Sequence, residues 1–142
     1  MTCRRPSLPT ECQVDKSTTD CPFCNLPESR IVHGHRLAVA VRDAYPVAPG
    51  HTLVIPRRHV GSFFELLPSE KVAMMELLDQ ARADVELCLA PDAFTIGIND
   101  GVAAGQTVPH VHLHLIPRRV GDVDDPRGGI RWVLPANAKY WP

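Results

Sequence analysis

Long apolar runs are missing. None approaches the roughly 20 residues that a membrane-spanning helix needs, so a transmembrane helix is excluded. A secretory leader is not expected: Arg4 and Arg5 stand in the first ten residues but no apolar block follows, and the cytoplasm is the expected location. Neither sign of charge dominates. With 15 Lys and Arg against 16 Asp and Glu, the net charge is −1. That excludes a strongly basic, sequence-independent nucleic-acid binder but leaves room for a small anion in one locally positive pocket. The cysteines number five, an odd count in a chain with no leader expected, which argues against a disulfide framework. Internal repeats and low-complexity blocks are also missing inside the domain. What is present suits one soluble globular domain: 142 residues, 44% hydrophobic and 22% charged. Fourteen prolines, about twice the usual share, predict short elements with stiff connections.

Residues 1–19 mix Pro, Ser, Thr and charge without helical or strand period, which predicts a disordered tail and a single domain over 20–142. Leu37–Val41 and Thr52–Ile55 read as an antiparallel pair of strands, the second stopped by Pro56. From Glu70 to Leu89 the apolar residues Met74, Leu78, Ala81, Val85 and Cys88 or Leu89 recur at steps of three and four, the face of a long helix. Pro68 suits its first turn, Ser69 is an alternative cap, and Pro91 lies just beyond its end. Phe94–Ile98 is a third strand, broken by Asn99-Asp100-Gly101, and His110–Ile116 is a fourth, ended by Pro117. The fold class expected is α+β, an antiparallel sheet with one long helix packed on it.

The most informative stretch is His110-Val111-His112-Leu113-His114-Leu115-Ile116. Side chains alternate across a strand, so the three histidines share one face while Val111, Leu113 and Leu115 fill the other. The apolar face fits a core against the helix. Three imidazoles at period two then look at solvent, a ligand or a metal. Same-face histidines can share an ion, or a neutral imidazole can act as nucleophile when its other nitrogen is held by an acceptor. The preceding Gly105-Gln106-Thr107 offers an amide, a hydroxyl and approachable backbone N–H groups. Such donors suit phosphate oxygens and favour phosphate chemistry over a bare metal site.

The run from Gly105 through Arg118 resembles the signature of the histidine triad (HIT) superfamily. Upstream, Pro46-Val47-Ala48-Pro49-Gly50-His51-Thr52-Leu53-Val54-Ile55-Pro56 resembles the family's other strong block, in the right order with the helix between. Gln-Thr-Val before the triad and Pro-Arg after it resemble the dinucleoside-polyphosphate-hydrolase branch, the fragile-histidine type. The resemblance implies a HIT-like sheet and a nucleotide substrate. It implies attack by His112 on the α-phosphorus, with a covalent nucleotidyl-histidine hydrolysed by water. It further implies that His114 bonds a phosphate oxygen, that His51 is the fourth histidine, and that Gln106 and Thr107, with the backbone at Gly105, cover the phosphates. Asp43 would hold the ribose and Asn99 would add a polar contact. His112, His114, His51 and Gln106 form the expected catalytic set.

Cys21-Pro22-Phe23-Cys24 reads as half a zinc site, since thiolates are good ligands and no βαβ pattern suggests a redox motif. Family relatives combine such a pair with histidines at the positions of His59 and His110, which implies a closed, structural Cys2His2 zinc. Two buried free thiols are the alternative. Cys3 and Cys12 look unengaged and Cys88 is expected in the core. The turn-rich end from Gly121 departs from the fragile-histidine type. There Arg118, Arg119, Arg127 and Arg131 could serve a long polyphosphate or a solvated face. Trp132 and Trp141 could line the nucleotide or cover a subunit contact. The family implies a homodimer. The alternatives are a nucleoside phosphoramidate hydrolase, a non-catalytic zinc-containing nucleotide-binding module, and a metalloenzyme holding one ion among the three histidines.

Overall fold

In the computed structural model, residues 18–142 are described. The expected tail therefore lies outside the described residues except for Thr18 and Thr19, and so do Cys3 and Cys12. Five strands form one antiparallel sheet: β1 (Ile31–Gly34), β2 (Ala38–Arg42), β3 (Thr52–Pro56), β4 (Ala93–Ile98) and β5 (Leu113–Arg118). Their spatial order is β1-β2-β3-β5-β4. Between β3 and β4 runs the helix α1 (Pro68–Leu89). The α+β architecture is the one expected, with one strand more than the sequence revealed. Among the described residues no helix is long and apolar enough to cross a membrane.

Pro68 opens α1 at the position where its missing N–H is harmless. The N-cap is Leu67, not Ser69, and its N–H is met by the Glu70 carboxylate at 2.8 Å. Glu70 is 3% exposed and takes two further bonds from Arg58, both 2.9 Å. The helix ends at Ala90 in the left-handed region, just before Pro91. Its buried stripe is Ala73, Met74, Leu77, Ala81 and Val85. This stripe packs on Ala38, Ala40, Val54, Leu113 and Leu115, where the small alanines let helix and sheet approach closely. Cys88 is exposed, contrary to expectation. The stripe continues from Val85 to Leu89, both of which reach Gly50.

On the opposite face, Val39, Val41, Leu53 and Ile55 are covered by Phe23, Leu26 and Ile31 from the segment before β2. The sheet is thus buried on both sides at its β2–β3 centre. Beyond Leu115, β3 offers no partner to β5. Pro117 therefore continues the strand along an open edge instead of ending it, a position where proline is tolerated. Gly50 fixes the entry to β3: its φ is +85, and a Cβ there would stand 2.7 Å from Leu89 Cδ1. The next residue is His51.

Candidate active site

β5 runs as a ladder only from Leu113, yet the alternation of faces extends back to His110. Val111, Leu113 and Leu115 all enter the helix-side core. His110, His112 and His114 lie on the other side, where they part company. His110 is fully buried and its Nδ1 lies 3.5 Å from Cys21 Sγ and 3.6 Å from Cys24 Sγ. His112 and His114 line a cavity of 460 Å³. Among the described residues no candidate metal cluster contains all three histidines, so the single-ion reading of the triad does not stand.

Hydrogen bonds assign a protonation to each ring. His112 Nδ1 lies 2.9 Å from the His110 carbonyl. A carbonyl only accepts, so Nδ1 carries the proton and Nε2 keeps its lone pair. The Val47 N–H donates to His51 Nδ1 at 3.2 Å, which leaves the proton of neutral His51 on Nε2. That N–H donates to His114 Nδ1 at 2.9 Å, with Asp43 Oδ2 at 3.4 Å as a second acceptor. His114 must then carry its own proton on Nε2 as a donor. Burial, followed by the neighbouring His112 and His51, pushes the His114 pKa down from 6.5 to about 4. Burial also lowers His51, partly opposed by Asp43. The two rings stay neutral at neutral pH, as the relay requires. A metal among Asp43, His51 and His114, which are close enough to hold one, would need the Nε2 position that the His51 proton fills.

The cavity is lined by the apolar Phe23, Leu26, Val41 and Leu53 and by the polar Arg42, Asp43, Thr107, His112 and His114. The apolar part went unrecognised in the sequence, because Phe23 and Leu26 lie in an irregular segment without period. The phosphate loop is only partly as expected. Thr107 lines the cavity, but Gln106 spends its side chain on the loop itself. Its Oε1 accepts from Gly101 N–H at 2.7 Å, and its Nε2 donates to the carbonyls of Gly61 (2.8 Å) and Val108 (3.0 Å). Gly105 is exposed with φ +93, and Asn99 is half-buried at the end of β4; neither lines this cavity. Thr107 also borders a second cavity of 460 Å³ that includes Gln106, Glu65 and Asp100 and no Lys or Arg.

The C-terminal arginines do not serve the cavity. Arg118 pairs with Asp122 and Arg127 with Asp125, while Arg119 and Arg131 bond backbone carbonyls. Trp132 donates to the Arg127 carbonyl, and the Arg127 guanidinium stacks on the Trp141 ring. Neither tryptophan lines the cavity.

Cys21, Cys24, His59 and His110 come together, their ligand atoms all within 4.8 Å of one another. His59 Nδ1 is 3.2 Å from Cys24 Sγ. Tetrahedral zinc with its usual bond lengths sets S···N edges of about 3.5 Å, so the four side chains fit that ion. His110 Nε2 donates to the Pro56 carbonyl at 2.8 Å, which turns the Nδ1 lone pair toward the sulfurs as a ligand histidine needs. Burial and the adjacent Cys21 thiol push the Cys24 thiol up to about 11. A thiolate at Cys24 would therefore need a cation beside it.

Comparison with known proteins agrees with this geometry. The family model for the HIT domain matches residues 26–121. The bis(5'-nucleosyl)-tetraphosphatase (asymmetrical) of Schizosaccharomyces pombe is 40% identical over 97 residues, 68% of this chain and 53% of that protein. The bifunctional bis(5'-adenosyl)-triphosphatase/adenylylsulfatase FHIT of Arabidopsis thaliana is 38% identical over 88 residues, 62% of this chain and 49% of that protein. The match thus spans about half the length of these relatives. The crystal structure of a zinc-bound histidine triad family protein from Mycobacterium smegmatis superposes with a TM-score of 0.66 at 35% identity, covering 74% of this chain and 79% of that one.

Proposed function

This chain belongs to the HIT domain family, and on that premise we propose that it is a nucleotide hydrolase cleaving dinucleoside polyphosphates at the α-phosphorus through His112. The observation that carries the reading is the His112 Nδ1–H bond to the His110 carbonyl. It leaves Nε2 as the ring's free lone pair, on a residue that lines the cavity. A nucleoside would set its base against Phe23, Leu26 and Val41 and its ribose hydroxyls on Asp43. Nε2 of His112 attacks the α-phosphorus, the bridging P–O bond breaks, and the distal phosphate group departs with the electron pair. Water then attacks the nucleotidyl-His112, releases the mononucleotide and restores the ring. The Nε2–H of His114, held in place by His51, donates to a phosphate oxygen and relieves charge as it develops.

Zinc on Cys21, Cys24, His59 and His110 belongs to the same proposal. It is a closed structural centre, and the ion supplies charge neutralisation for the thiolates. A homodimer is proposed as well: β4 is a sheet edge, and Ile96 on it is 47% exposed. One observation favours a second substrate class. The cavity beyond Thr107 carries Glu65 and Asp100 without a Lys or Arg. That suits the amine of a nucleoside phosphoramidate better than a chain of phosphates.

Native mass spectrometry of the full chain tests the reading. Rapid quenching after mixing with a dinucleoside polyphosphate is expected to give the mass of a mononucleotidyl adduct on a chain holding one zinc ion. His112→Ala is expected to keep zinc and lose both adduct and turnover. Turnover by His112→Ala at the wild-type rate would reject the nucleophile assignment.

A further inference from the structure

The four ligand side chains do more than clip the chain together. Cys21 and Cys24 flank Phe23, whose ring stands edge-on to His112 with centroids 5.0 Å apart and to His110 at 5.9 Å. Pro22 and Phe23 line the 460 Å³ cavity, and Phe23 packs against the cluster of Val39, Val41, Leu53 and Ile55. The knuckle's own hydrogen bonds hold its ends, with Asn25 N–H on the Cys21 carbonyl at 3.2 Å and the Asn25 side-chain amide on the Cys21 and Thr19 carbonyls at 3.1 and 2.8 Å. Anchoring the two sulfurs on either side of Phe23 adds a restraint on where its ring lies. From the other side of the cluster, His110 presents the carbonyl that orients His112. The metal ligands thus reach the cavity by two arms: one is its wall and the other holds its nucleophile.

We propose that the Cys21–Cys24–His59–His110 centre and the nucleotide cavity are energetically coupled through Phe23, so that zinc tightens nucleotide binding and nucleotide tightens zinc binding to the same degree. The proposal rests on the nucleotide reading given above. Its physical basis is ordering. With zinc in place the knuckle is fixed and the Phe23 wall is preformed. Without it, part of the nucleotide's binding energy goes into arranging that wall. Coupling between two binding equilibria is reciprocal. Phe23 is a wall of the nucleotide cavity here and takes no part in bond breaking.

The test is an equilibrium competition for zinc between the full chain and a chromogenic chelator, with and without AMP. AMP carries the nucleoside and α-phosphate but no bond to cleave. Its Kd for the zinc-loaded chain is first measured by calorimetry. A coupling factor of about 10, within the usual range, makes AMP at about 100 times its Kd raise the zinc affinity about ninefold. Phe23→Ala, given AMP at the same multiple of its own Kd, is expected to show less than half that effect. Phe23→Leu takes its place under the same criterion if the alanine variant does not fold. Zinc affinity unmoved by bound AMP overturns the coupling and leaves the nucleotide reading intact. A full effect persisting in the Phe23 variants assigns the linkage to folding of the whole chain and overturns the role of Phe23. If calorimetry shows no AMP binding at all, the nucleotide reading falls and the coupling with it.

Discussion

The relay from His51 to His114 invites the most searching test, because it separates a residue acting through another from one acting on substrate. His51 is 3% exposed; it accepts from Val47 N–H and donates to His114 Nδ1 at 2.9 Å. In His51→Ala the His114 ring stays but nothing fixes its tautomer or orientation. Its Nε2 then faces the phosphate as a donor only part of the time. Removing a donor to developing charge outright costs about 10²–10³ in kcat. A donor left in place but unguided should cost less, about 10–100-fold or roughly 1.4–2.7 kcal/mol. His114→Ala should show the full loss. The decisive measurement is the double variant. If His51 works only through His114, then His51→Ala/His114→Ala is no slower than His114→Ala alone, and the cycle shows a coupling nearly equal to the whole His51 effect. Hydrolysis of a dinucleoside polyphosphate, followed by chromatography of products under saturating and limiting substrate, gives kcat and KM separately. The fall should lie in kcat. Multiplicative losses in the double variant, or a loss confined to KM, would refute the relay and put His51 in direct contact with substrate.

Two further expectations concern stability. Glu70 caps α1 and receives Arg58 from the chain after β3. Arg58 is 49% exposed on its side chain and can return to water, so Glu70→Ala should cost only about 2 kcal/mol. Calorimetry should show Tm lower by about 5–10 °C, and an unchanged Tm would count against the cap. The second expectation concerns acid. The His114 pKa of about 4 lies below its unfolded value of 6.5, so as pH falls the unfolded chain takes the proton first. Stability is then full above pH 6.5 and declines between 6.5 and 4, by about 3 kcal/mol from this ring. Urea midpoints at pH 7, 6 and 5 should fall less steeply in His114→Gln than in wild type. Equal slopes would show that other groups, the zinc ligands among them, carry the acid sensitivity.

The helix and β5 were legible because each buries one face and so writes a period into the sequence, while β2 and β3, buried on both faces, were legible as short apolar runs. β1 was not. It has four residues and departs from regular register between Ile31 and His33, and its half-buried positions are Ile31 and His33 while Val32 is exposed, so residue type does not follow its alternation of faces. Cys88 was misplaced for a related reason: it lies one position off the Val85–Leu89 line, and near the end of a helix one position decides between core and solvent. The cavity's apolar wall was illegible in a different way. Phe23 and Leu26 owe their position to the knuckle's anchorage and to the valines beneath them, not to any local repeat. Gln106 shows the converse. Its residue type suits a phosphate, yet three loop groups claim it first.

The period of two told which face the histidines share but not what each ring does there. That distinction is set by backbone groups that only folding brings near. The Pro56 carbonyl puts the His110 proton on Nε2 and turns Nδ1 to the cysteines. The His110 carbonyl puts the His112 proton on Nδ1 and frees Nε2. The Val47 N–H, acting through His51, puts the His114 proton back on Nε2. Three like side chains thus present a lone pair to the cysteine sulfurs, a lone pair to the cavity and a donor. The difference follows from which nitrogen each is obliged to protonate.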